Sequence, residues 1–182
     1  PIDVLRWPGV IQSADTEGEA LTAAASGLLA NALDALETMR KAEGRRIGEL
    51  IAARCSEVLR IAASVRARMP EVLEATREKQ RDRLAKLELD VEPERLEAEL
   101  ALVAQKLDVD EELDRLESHV REIRDSLGSA EPVGRRLDFL MQELNREANT
   151  LGSKSADTET TRAAVDLKVL IEQMREQIQN VE

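Results

Sequence analysis

The chain has 182 residues, of which 42% are hydrophobic, enough to bury the core of one sizeable domain or a long helical bundle. Aromatics make up 1%, with Trp7, Phe139 and no Tyr, while charged residues reach 35%; this Leu/Ala/Glu/Arg-rich mixture excludes a sheet-rich fold and is what long helices use. A net charge of −11 argues against nucleic-acid binding over the whole surface, yet from Arg40 to Lys86 basic residues outnumber acidic ones 13 to 7, leaving −17 for the rest.

After Trp7-Pro8-Gly9, Thr16 and Glu19 form a capping box that predicts a helix running to about Arg40–Ala42, with a break or bend permitted at Gly44. From Arg45, the apolar residues Ile51, Cys55, Val58, Ala62, Val65 and Met69 recur at steps of four and three, the seam of a packed helix. Pro70 is expected to end or kink it, with a further amphipathic piece to about Leu87. Glu92-Pro93 opens a shorter helix, and Asp108, with Glu111 three residues on, is expected to cap the next. There Leu113, Leu116, Val120, Ile123 and Leu127 repeat the seam. Gly128 to Pro132 is a tight turn, followed by the seam Leu137, Met141, Leu144, Ala148 and Leu151. A break at Gly152-Ser153, with Ser155 or Asp157 as cap, leads to a last helix with seam Leu167, Ile171, Met174, Ile178 and Val181.

The expected fold is therefore all-α, an elongated bundle of long antiparallel helices with coiled-coil-like packing. Residues 1–90 form a long helical arm, basic over 40–86, and 91–182 a C-terminal helical bundle holding the candidate metal or catalytic site. Cys55 has no disulfide partner and reads as a buried small hydrophobe, as in a reducing compartment. No stretch approaches the roughly 20 uncharged apolar residues of a membrane span, and no secretory leader precedes Pro1, so a cytoplasmic protein with no membrane partner is expected.

Folding the hairpin about Glu131 sets His119 opposite Glu143, each twelve positions away. Glu143 and Glu147 are one helical turn apart, so both carboxylates can point the same way. Glu112, seven residues before His119, shares its face. One imidazole with two or three carboxylates can hold Mg²⁺ or Mn²⁺, and such a cation polarises phosphate oxygens. His119 is equally suited to general acid or base work, and solvated helix faces also carry many such glutamates. Leu116 stands three before His119, where a ferritin-like di-iron bundle needs Glu, which disfavours a di-iron oxidase.

A second cluster, Gln142, Asn145, Arg146, Asn149 and Ser153 with Lys154 beyond, is rich in poor helix formers. It suits either a hydrogen-bonding partner or contacts between helices of an oligomer. On the basic segment, Arg40, Arg54 and Arg68 are spaced by fourteen, as are Arg46 and Arg60, almost four turns. These rails suit phosphates by sequence-independent contact, or pairing with the acidic helices. This basic segment has no aromatic to stack on bases, so base-specific single-strand readout of the RRM or OB kind is not expected.

The run Val133-Gly134-Arg135-Arg136-Leu137-Asp138-Phe139-Leu140-Met141-Gln142-Glu143-Leu144-Asn145-Arg146-Glu147-Ala148-Asn149-Thr150, then Ser153-Lys154, resembles the YicC/YloC family of bacterial endoribonucleases. The closing run from Leu167 through Glu182 is similar to that family's end. Asp108 to His119, Trp7-Pro8-Gly9 and Arg40 to Gly44 resemble it more loosely. The resemblance implies a bacterial hydrolase, a nuclease cutting RNA phosphodiesters by divalent-metal-assisted hydrolysis or transesterification, working as a homo-oligomer with a hexamer suggested. By position it implies His119, Glu143 and Glu147 as catalytic and metal-holding residues, with Glu112 as a further metal ligand. Arg136, Arg146 and Lys154 join the five rail arginines as the RNA-binding set. The family's N-terminal α/β domain is expected to be absent from this chain, which leaves open whether this piece cleaves alone. The alternative is a helical scaffold for oligomerisation or RNA binding, without catalytic activity of its own.

Overall fold

The computed structural model describes residues 2–10, 18–86, 92–129 and 131–179, and every regular element among them is helical. A 3-10 segment, Ile2–Arg6, precedes α1 (Gly18–Lys86), α2 (Pro93–Leu107), α3 (Asp110–Leu127), α4 (Gly134–Lys154) and α5 (Thr158–Ile178). The cap at Thr16, the helix end at Leu87 and the seam residue Val181 lie outside the described residues. Contacts divide the chain into two compact units, residues 1–44 and 45–182.

In the first unit the Val10 N–H donates to the Trp7 carbonyl at 3.1 Å, closing a turn in which Gly9 has φ 89°. A side chain would be strained there, so the backbone itself requires glycine after Trp7-Pro8. Along the helical part of this unit Leu21, Leu28, Leu29, Leu33, Leu36 and Met39 are all exposed.

The second unit has one hydrophobic core. Ile47, Ile51, Cys55, Val58, Ala62 and Val65 of α1 are buried with Leu113, Leu116, Val120 and Ile123 of α3. Leu137, Met141, Leu144, Ala148 and Leu151 of α4 and Leu167, Ile171, Met174 and Ile178 of α5 complete it. Each fully buried Leu or Ile contributes about 1.5–3 kcal/mol, so these stripes hold the helices together. The short connections on either side of α4 leave no room for a crossover, and α3, α4 and α5 run antiparallel as neighbours. Charge adds orientation: Arg66 of α1 reaches Asp114 (2.8 Å) and Glu117 (3.1 Å) of α3, and Arg81 pairs with Glu97 of α2 at 3.2 Å.

Four local expectations are corrected. Helix α1 continues through Gly44 and through Pro70. Glycine costs only about 1 kcal/mol relative to alanine. Proline costs about 3 kcal/mol, and the buried Val65 and Val72 on either side of it anchor both flanks. Val109, not Asp108, stands at the N-cap of α3, and the Asp108 carboxylate instead accepts from the Asp110 N–H at 3.1 Å. No break occurs at Gly152-Ser153, since α4 runs to Lys154. Gly152 serves packing: a Cβ there would lie 3.4 Å from the Ala164 Cβ of α5, so a small residue lets the two helices approach. Of the two caps expected for α5, Asp157 is the one used, accepting from the Thr160 N–H at 3.0 Å.

Candidate metal centre

His119 sits beside the buried Val120 at the edge of the core-facing side of α3, its side chain 18% exposed. On α4, Glu143 adjoins Leu144 and Glu147 adjoins Ala148, so both carboxylates border the buried stripe, one turn apart. Hairpin closure then brings α3 and α4 together. His119, Glu143 and Glu147 each offer one donor atom, and these atoms lie within 4.8 Å of one another. The Glu147 side chain is only 4% exposed.

Two features fit this set to a cation. The Nδ1 atom of His119 is buried without a hydrogen-bond partner and lies 4.0 Å from Glu122 Oε1, too far to bond. Two carboxylates and an imidazole are also a donor set that Mn²⁺ accepts readily and Mg²⁺ can use through the oxygens. The residues present fit such an ion.

Beside the cluster stands Arg115, which spacing arguments alone did not single out. Its Nη1 lies 3.4 Å from Glu147 Oε1 and its Nη2 bonds Glu111 Oε1. The nearby Glu111 and Glu147 charges raise its already high pKa further. The reflection that pairs His119 with Glu143 would have found it, because Arg115 and Glu147 are each sixteen positions from Glu131.

Glu112 is not brought into the cluster. Seven residues place it about 10 Å along the helix from His119, two turns away. Its buried carboxylate is held by Lys154 Nζ at 2.9 and 3.0 Å.

The eight candidate RNA-contacting residues differ in surroundings. Arg40 and Arg46 are exposed, and Arg54 is half-buried with its Nε lacking a hydrogen bond. Arg60 pairs with Glu57 at 2.8 Å, Arg68 with Asp157 at 2.6 Å, Arg136 with Glu122 at 3.8 Å, and Lys154 with Glu112. Arg146 is exposed. In the amide cluster Gln142 donates to Asp138 (2.9 Å) and Asn149 to Asn145 (3.1 Å), pairs one turn apart along α4.

Residues 65–182, which include the whole cluster and Arg115, match the family model described as "Endoribonuclease YicC-like, C-terminal". The chain belongs to the YicC-like family. Residues 1–49 match the YicC-like N-terminal region, so part of that region lies within this chain. A probable endoribonuclease YicC of Haemophilus influenzae is 45% identical over 184 residues, covering 99% of this chain and 63% of the relative. A probable endoribonuclease YicC of Clostridioides difficile is 34% identical over 186 residues, covering 100% of this chain and 64% of the relative. The chain thus spans just under two thirds of the length of these YicC relatives.

Proposed function

We propose that this chain carries the RNA-cleaving site of an endoribonuclease and that His119, Glu143 and Glu147 hold a divalent cation, Mn²⁺ or Mg²⁺, there. The observation that carries this reading is the convergence of three donor atoms within 4.8 Å at the α3–α4 contact, in a chain whose relatives are named probable endoribonucleases. When bound, the cation supplies Lewis acidity toward a phosphodiester oxygen and lowers the pKa of the attacking hydroxyl, whether water or ribose 2′-OH. Glu147, deeply buried and anchored in α4, fixes the geometry. Glu143, half-buried, keeps part of its side chain in solvent. His119 has two ring nitrogens, so one can ligate while the other moves a proton to or from the reacting oxygen.

RNA backbone is the proposed substrate, gripped through phosphates by Arg146, which adjoins Glu147 on α4, and by Arg46, Arg54 and Arg60 of α1, all within residues 45–182. A homo-oligomer is the proposed working form, supported by the exposed leucines between Leu21 and Leu36, apolar faces that an assembly would cover. Among the described residues no helix is long and apolar enough to cross a membrane, and the buried thiol of Cys55 suits a reducing cytoplasm. A second reading, a scaffold without chemistry of its own, draws support from Arg68 and Lys154, whose cationic heads are bound to carboxylates of the bundle.

The two readings separate on Glu143→Gln combined with Glu147→Gln. The double variant loses RNA cleavage if the cluster is the catalytic site, whereas full activity assigns the cluster to the scaffold.

A further inference from the structure

We infer that Arg115 is an exchange residue: it neutralises Glu147 while the cation is away, and turns to the RNA phosphate when the cation takes that carboxylate. This rests on the metal-site reading above and deepens it, by tying occupancy of the site to the arrival of substrate.

The geometry supports two states. Arg115 and His119 are four residues apart on α3, so both point to the side that meets α4. A carboxylate as buried as Glu147 is costly to leave uncompensated, and among the described residues Arg115 pairs with it, at 3.4 Å. That contact is long for a charge-assisted hydrogen bond, and the guanidinium is half exposed, at 50%, and anchored from outside by Glu111. Arg115 thus has a long contact on the site side and an exposed ion pair on the surface side, and neither locks it in place. A dication among His119, Glu143 and Glu147 would stand within a few ångströms of the guanidinium, and like charges at that distance repel. The planar fork can then keep Glu111 and offer its other edge to a phosphate, which an arginine binds bidentately.

Linkage makes the idea measurable. If phosphate draws Arg115 away from Glu147, RNA must tighten the cation, and the cation must tighten RNA by the same factor. Removing Arg115 removes both the competition and the coupling.

Mn²⁺ binding to the chain is followed by electron paramagnetic resonance, with and without a 2′-O-methyl RNA oligonucleotide checked to remain intact. In the wild type the oligonucleotide is expected to tighten Mn²⁺ by about fivefold or more, the lower end of typical coupling. Arg115→Gln is expected to bind Mn²⁺ alone about two- to fivefold more tightly, as loss of a half-exposed pair allows, and to show no effect of the oligonucleotide. Arg121→Gln, which removes an exposed charge of α3 outside both the cluster and the RNA-gripping set, should keep at least half of the coupling. If Arg115→Gln loses its helical circular-dichroism signal, Arg115→Lys replaces it; this variant keeps the charge without the fork, and should bind Mn²⁺ within about twofold of wild type while losing most of the coupling. A variant at 115 that keeps wild-type coupling overturns the exchange. No Mn²⁺ binding by the wild type, or equal binding by the Glu143→Gln/Glu147→Gln variant, overturns the metal site itself and the exchange with it.

Discussion

Glu112 and Lys154 form a nearly buried ion pair across the α3–α4 contact, with side chains 8% and 29% exposed and Nζ 2.9 Å from Oε1. Lys154 Nζ also donates to the Asp108 carbonyl at 2.8 Å, so one ammonium ties the entrance of α3 to the last turn of α4. Lys154→Met leaves the Glu112 carboxylate buried without a partner and should destabilise the fold by about 3 kcal/mol. Glu112→Gln added to it should recover at least half of that. Urea denaturation of the two variants checks the order, and equal stability of Lys154→Met and wild type would show the pair to be dispensable.

Asp157 has a role that pH reveals. Burial alone would raise its carboxyl pKa, but hydrogen bonds from Thr160 and Arg68, with the Arg68 charge, outweigh burial and hold it below the ordinary value of 3.8. A group whose folded pKa is depressed stabilises the fold above its unfolded pKa, and that contribution fades as pH falls through the folded value. Asp157→Ala should therefore cost about 1 kcal/mol at neutral pH, the usual worth of an N-cap, and less as pH drops below about 4. Thermal melts from pH 7 to pH 2 test this, and a constant gap between variant and wild type contradicts it.

Cys55 lies wholly inside the core, its Sγ 4.0 Å from Met174 Sδ. Burial pushes its thiol up to about 11 against a smaller lowering by Arg124, so at pH 8 it is protonated as well as enclosed. A thiol reagent at pH 8 should leave the native chain unmodified and label one cysteine per chain in denaturant. Rapid labelling of the folded protein would mean that α1 and α5 separate readily.

Much of the bundle was legible because its seams follow helical periodicity so closely. Leu113, Leu116, Val120 and Ile123, and likewise Leu137 through Leu151, are buried as their spacing predicts. Local breakers were less readable: Gly44 and Pro70 are strong stop signals whose cost is small beside a helix of 69 residues, and Gly152 marks close approach to Ala164 rather than a helix end. The meeting of His119 with Glu143 and Glu147 could be read by reflecting the hairpin about its turn. Glu112 escaped that logic, because a shared face seven residues away is still two turns distant, and a longer side chain, Lys154, reached it first.

Cation binding should also appear as stability. A ligand held only by the folded chain adds about 2.7 kcal/mol at a hundred times its Kd. Saturating Mn²⁺ should raise the melting temperature of the wild type and leave the Glu143→Gln/Glu147→Gln variant unmoved. An equal rise in both would place the ion elsewhere.

The most direct test is cleavage of a structured RNA by this chain and by one extended to the length of its relatives. Each is assayed with EDTA, with Mn²⁺ restored, and as the Glu143→Gln/Glu147→Gln variant. The account predicts cutting that stops with EDTA, returns with Mn²⁺ in the wild type, and does not return in the variant. Cutting that survives EDTA, or an active double variant, would contradict it.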